Sequence, residues 1–196
     1  TKLIMSGQGG MFCTNNQDLY NSAKLMSHHG MDKPKDGKGK YYWSDVLGFN
    51  YGWTNIQAAL ALAQLRRINE LLEYKKWLFD EYQKRLSTVP NLKLSPSTDN
   101  VDHTYWITTA ILKDYGIKKE DFKVMLDEYT IDMRPLFYPL SAMPPFKNYV
   151  NKNMREQNPI TYELSDYGIC LPNGNNLNKD DIDYICHHFK KALGVS

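Results

Sequence analysis

TNIQAALALAQLRRINELLEYKKWLFDEYQKRL, residues 54–86, is the stretch whose reading decides the architecture. Thr54 with Gln57 three residues on forms a capping box, which satisfies two of the amide groups that every helix start leaves open. Apolar residues then recur at Ile56, Leu60, Ala63, Leu65, Ile68, Leu72 and Leu78, at the spacing of one helix face. The pattern predicts a single helix running to about Leu86. At ~30 residues and 1.5 Å per residue such a helix is ~45 Å long, which suits a spine joining two domains better than a helix inside one small core.

On the N-terminal side, GGMFCT at 9–14 follows a glycine-rich turn with apolar, β-prone residues and predicts a short strand. Helical signals follow from Asp18 to His28. Met31 to Lys40 is polar and rich in glycine and lysine, and it leads into an aromatic segment, YYWSDVLGFNYGW (41–53), too punctuated by glycine to be a regular element. On the C-terminal side, a turn-rich stretch (90–100) precedes TYWITTAIL (104–112), a β-rich run. A helix over 118–129, a short strand near 131–133 and a loop carrying Pro135, Pro139, Pro144 and Pro145 come next. The last helix starts near Asn178 or Lys179 and carries Ile182, Ile185, Phe189 and Leu193 at helical spacing. Strands alternating with helices imply an α/β fold.

A hydrophobic content of 42%, a charged content of 23% and a net charge of +2 describe an ordinary globular chain, without the concentrated basicity of a nucleic-acid binder. The densest basic run, Lys33, Lys35, Lys38 and Lys40, is interleaved with Asp32, Asp36, Gly37 and Gly39 and reads as a solvated loop. Three cysteines without CxxC spacing argue against a disulfide framework and a structural zinc site, and point to a reducing cytoplasm. His28, His103, His187 and His188 show no metal spacing either. No apolar run approaches the ~18 residues of a membrane helix. The chain opens on Thr1 directly before Lys2, so a fragment is expected.

Chemistry concentrates at the opening, TKLIMSGQGGMFCTNN, where Lys2 stands a few residues before a Gly-x-Gly-Gly turn. A lysine can act as a nucleophile once burial or neighbouring cations free its lone pair, but spacing alone leaves Lys2 an ordinary surface charge. Four more segments stand in order behind it: His29-Gly30; GFNYGWTNIQAALALAQL from Gly48 to Leu65; IDMRPLFYPLSAMPPF; and YGICLPNGNNLNKDDIDYI. Together the five resemble the DegT-type sugar aminotransferases, over nearly the whole length of the chain.

The resemblance implies the C-terminal half of a pyridoxal-phosphate-dependent enzyme with the aspartate aminotransferase fold (fold type I). Residues 1–53 would end the large cofactor domain, 54–88 would be the connecting helix and 89–196 the small domain. It implies Lys2 as the Schiff-base lysine and proton shuttle, and Asn50 as a contact to the cofactor phosphate of the neighbouring subunit in a homodimer. Arg134 would meet a substrate diphosphate and Tyr138 would line the pocket; no metal is implied. The activity implied is amino transfer from glutamate to carbon 4 of a nucleotide-linked 4-keto-6-deoxy sugar, GDP-linked first and UDP-linked second. Gln8, Gly52, Trp53 and Ser141 depart from the family pattern, which normally has glutamate, arginine, methionine and often histidine there. Gly52 and Ser141 leave the choice of sugar and nucleotide open, with the lysines of the 31–40 loop as substitutes for the arginine. A non-catalytic interaction module and a ligand-sensing relative remain alternatives.

Overall fold

The computed structural model describes residues 2–32 and 39–195, and the basic residues Lys33, Lys35 and Lys38 lie outside them. The chain divides into two compact units, Ile4–Ile68 and a second made of Thr1–Leu3 with Asn69–Ser196.

In the first unit, α1 (Gln17–Ser27) starts at Asn16, whose side chain accepts from the amides of Asp18 and Leu19. The helix α2 (Asn55–Leu65) starts at Thr54, and the capping box with Gln57 forms as the sequence predicts. The single long helix does not form. The chain breaks at Arg66–Arg67, where the Arg67 amide turns back to the Gln64 carbonyl at 3.0 Å, and α3 (Ile68–Leu86) begins anew. No glycine or proline causes this break. The two halves answer to different surroundings: α2 carries Gln57 and Gln64 on one face and apolar residues over the rest and has no buried residue, whereas α3 sinks one stripe, Leu78, Phe79, Tyr82 and Leu86, into a core. The strand expected at 9–14 is also absent. Met11 is 75% and Phe12 60% exposed, and no described segment pairs with them, so no ladder fixes an extended form.

The second unit holds a four-stranded antiparallel sheet ordered β1-β2-β4-β3, from β1 (Lys93–Leu94), β2 (Thr109–Ile111), β3 (Arg134–Pro135) and β4 (Gly168–Cys170). Two strands are shorter than, or displaced from, the sequence expectation. TYWITTAIL extends only over Thr109–Ile111, because Tyr105 adopts φ +48 and the chain bends at Trp106. The strand near 131–133 forms two residues later, after a tight turn in which the Met133 amide bonds the Ile131 carbonyl at 3.1 Å. Helix α4 (Lys119–Asp127) lies within the expected span, and α5 (Met154–Gln157) and α6 (Pro159–Tyr167) interrupt what the sequence presents as loop. Pro159 sits in the first turn of α6, where its missing N–H is not needed. The final helix α7 (Lys179–Ala192) is capped by Asn178, whose side chain accepts from the amides of Asp180 and Asp181.

Leu78, Tyr82, Phe122, Leu126, Met133, Ile169, Ile182 and Phe189 form one core, with Phe122 and Phe189 edge to face at 4.9 Å. Phe189 is fully buried at the meeting of α4 and α7. Phe189→Ala should therefore lower the unfolding free energy by about 3–5 kcal/mol, read from the urea midpoint. Close by, His188 stacks on Tyr129 at 4.0 Å, and its buried Nδ1 has no hydrogen-bond partner. Burial, with His187 and Lys191 beside it, holds the imidazole below its ordinary pKa. The unfolded chain then binds the proton more readily, so stability should fall as pH drops below about 6.5 and level off below the folded-state value. The His188→Gln protein should show a shallower loss of urea midpoint between neutral and mildly acid pH, and an unaltered slope would contradict this assignment.

Candidate functional site

The glycine turn, α1 and the aromatic segment meet in the first unit. Phe49 and Tyr51 donate their amides to the Met26 and Ser27 carbonyls at 2.7 and 3.0 Å, so the aromatic segment satisfies the open end of α1. His28 and Asn50 form an isolated antiparallel bridge there. Gly30 sits at φ +66, and a Cβ on it would lie 1.9 Å from the Val46 carbonyl oxygen, which explains the glycine of the His-Gly pair. From the other side, the Gln64 side chain accepts from the Met5 amide at 3.0 Å and Gln57 donates to the Gln8 carbonyl at 3.4 Å, tying the glycine turn to α2.

These ties frame an open depression of about 900 Å³ lined by Gln8 to Phe12, Tyr20, Lys24, Phe49 to Trp53 and Gln57. Phe49 and Tyr51 stack at 4.9 Å with their planes 3° apart. Asn50 lines this depression with its side chain exposed. Lys24, in the last turn of α1, is a cation of this wall that sequence reasoning missed; nothing in its local pattern separates it from a solvated helix lysine. The Gly52 departure has a local reason. A Cβ there would meet the His28 ring at 2.9 Å, so the imidazole occupies the space a side chain at 52 would enter.

The other expected residues belong to the second unit. The Lys2 side chain is exposed, and its ammonium lies 3.9 Å from the centroid of the half-buried Trp106 ring. Arg134 pairs with Asp132 at 2.8 Å while its side chain stays 71% exposed. The Tyr138 hydroxyl donates to Glu120, and that carboxylate pushes the phenol pKa up. Lys40, which belongs to the first unit, rests 3.6 Å over the Trp43 ring. Ser141 shares a hydrogen bond of 2.9 Å with the Tyr162 hydroxyl. Asn50 thus falls in one unit, and Lys2, Arg134 and Tyr138 in the other.

The residues present match part of what pyridoxal phosphate requires. Lys2 offers a primary amine on an accessible side chain, and Asn50 offers a carboxamide that donates to phosphate oxygens. A carboxylate for the pyridine nitrogen is absent from the lining of the depression. Among the described residues no helix is long and apolar enough to cross a membrane, and the three cysteines are free, Cys13 exposed, Cys170 and Cys186 buried.

The profile of the DegT/DnrJ/EryC1/StrS aminotransferase family matches residues 1–190, and the chain belongs to that family. GDP-perosamine synthase of Escherichia coli O157:H7 is 32% identical over 94% of this chain and 47% of its own length. The enzyme of the same name from Caulobacter vibrioides is 33% identical over 98% of this chain and 50% of its own length. Among solved structures, Spr1654 from Streptococcus pneumoniae in its PMP form superposes with a TM-score of 0.79 at 22% identity, covering 92% of this chain and 46% of that one. The same protein is also solved in a PLP form. The fold is therefore the aminotransferase type expected from the sequence, and the chain spans about half the length of the curated relatives it matches.

Gly9 stands at φ +131, with its absent Cβ position only 2.0 Å from Trp53 Nε1. Gly9→Ala should push the indole out of its seat and destabilise the turn by at least ~1 kcal/mol. A shift in tryptophan emission reports it; an unchanged spectrum would show that the turn yields instead.

Proposed function

We propose that this chain supplies the lysine-bearing half of a pyridoxal-phosphate-dependent aminotransferase acting on nucleotide sugars. The observation that carries the reading is the family match across residues 1–190, with Lys2 at its head before the glycine turn. Similarity to GDP-perosamine synthases favours a GDP-linked 4-keto-6-deoxy sugar as acceptor, with glutamate as donor, over a UDP-linked sugar.

The cofactor, when bound, supplies an electron sink that lets an amino acid release its α proton. Lys2 Nζ is the point of covalent attachment and, when free, the base that moves a proton at the substrate carbon. The Trp106 face gives that ammonium a seat when it is not so engaged. Asn50 donates its amide to the cofactor phosphate, and Arg134, paired among the described residues with the exposed Asp132, turns its guanidinium to a diphosphate. Tyr138 walls the sugar. Residues 4–68 expose Ile56, Leu60, Leu62 and Leu65 on α2 together with the aromatic depression, apolar surface that supports a homodimer with Asn50 acting across it. In this reading residues 1–53 end the large domain, 54–88 make the connection and 89–196 form the small domain. A cytoplasmic setting goes with the free cysteines.

The full-length protein with pyridoxal phosphate should show visible absorbance that glutamate bleaches. Lys2→Ala should remove that band and lower turnover by several orders of magnitude, since attachment and proton transfer are lost together. A Lys2→Ala protein with a near-normal rate would overturn the assignment, and a full-length protein that never takes up cofactor would favour an interaction module.

A further inference from the structure

Lys119 opens α4 with its side chain only 1% exposed, although Glu120 Oε1, a carboxylate oxygen, is as far as 3.9 Å from the ammonium. Its Nζ donates to the Leu136 carbonyl at 2.7 Å and to the Ser165 hydroxyl at 3.3 Å, and it lies 3.5 Å from the centroid of the Tyr138 ring. Glu120, the next residue, accepts from the Tyr138 hydroxyl. Two consecutive residues of α4 thus hold Tyr138 by its face and by its tip.

A buried ammonium is unfavourable unless each of its protons finds a partner, and an apolar side chain of similar volume commonly serves stability as well or better. Burial pushes the Lys119 pKa down, in line with that penalty. What compensates it is mostly the segment Leu136–Tyr138, so the charge ties that segment to α4. The segment is anchored on its other side too: the Leu136 amide bonds the Gly168 carbonyl at 2.9 Å. A Cβ on Gly168 would lie 2.5 Å from Leu136 Cδ2, so only glycine allows this approach. From that fixed base the chain presents outward groups, with Phe137 70%, Tyr138 52% and Leu140 63% exposed, a few residues along the chain from Arg134, whose side chain is 71% exposed. A segment that carries an exposed cation and exposed aromatic and apolar side chains, held from beneath by a buried charge, suits a ligand with a phosphate and a ring.

We propose that Lys119 and Glu120 are positioning residues that fix Arg134–Tyr138 as the wall contacting a diphosphate-linked sugar; this rests on the aminotransferase reading above. A lysine present only for the core would behave differently, and the two roles separate by experiment. In the full-length holoenzyme, Lys119→Met should leave the thermal midpoint unchanged or raised, because a buried charge is removed. The same variant should speed amide exchange over residues 134–140 by about tenfold. Lys119→Met and the surface variant Glu120→Ala should each weaken GDP-sugar binding, measured by calorimetry, by about tenfold while the KM for glutamate stays put. Binding within twofold of wild type in both variants would overturn the proposal, as would a lowered midpoint in Lys119→Met with binding unchanged. If the wild-type protein binds neither a GDP- nor a UDP-linked sugar, the aminotransferase reading fails on its own account. Exchange then decides the clamp: acceleration in Lys119→Met supports it and wild-type exchange overturns it.

Discussion

Helix α3 has one stripe to bury, and the second unit is arranged around that need. Leu78, Tyr82 and Leu86 enter the core formed with α4, α7 and the sheet, while the polar groups of the same stripe are used rather than wasted. Lys75, 1% exposed, donates to the Asn173 carbonyl at 2.5 Å; Tyr82 donates to Pro172 at 2.8 Å and Tyr74 to Leu177 at 2.7 Å. The helix therefore grips the turn before α7 by its carbonyls, and Asn173 passes the grip on by donating to the Trp106 carbonyl at 2.9 Å. Trp106 carries the Lys2 ammonium on its face. One buried stripe thus reaches, through a turn and a bend, the side chain proposed to do the chemistry.

The first unit follows another logic. Every buried hydrophobic residue among those described lies at Leu78 or beyond, so residues 4–68 hold their form through caps, glutamine side chains and the bonds between α1 and the aromatic segment. Apolar burial is the main favourable term in folding, and a region that forgoes it presents that surface to something else. The curated relatives are about twice as long as this chain.

What the sequence disclosed and what it hid differ for physical reasons. Caps are local, so Thr54 with Gln57 and Asn178 before α7 were readable directly. The break at Arg66–Arg67 was not, because no glycine, proline or capping residue marks it and the apolar spacing runs through it. The sheet was visible as β-prone runs, but its limits depend on partners far along the chain, and Tyr105 in the left-handed region shortens the run that contains it. The family was legible from five ordered segments. Lys24 in the depression and Lys119 beneath Tyr138 were not, since a lysine on a helix looks the same from sequence whether it faces water or lies buried.

In the proposed enzyme Lys2 is the residue that takes the cofactor. Borohydride reduction of the full-length protein in the presence of pyridoxal phosphate, followed by peptide mapping in the mass spectrometer, should place the pyridoxyl mass on Lys2 alone. The mass on Lys24, Lys75 or Lys119, or on no lysine of this chain, would rule Lys2 out.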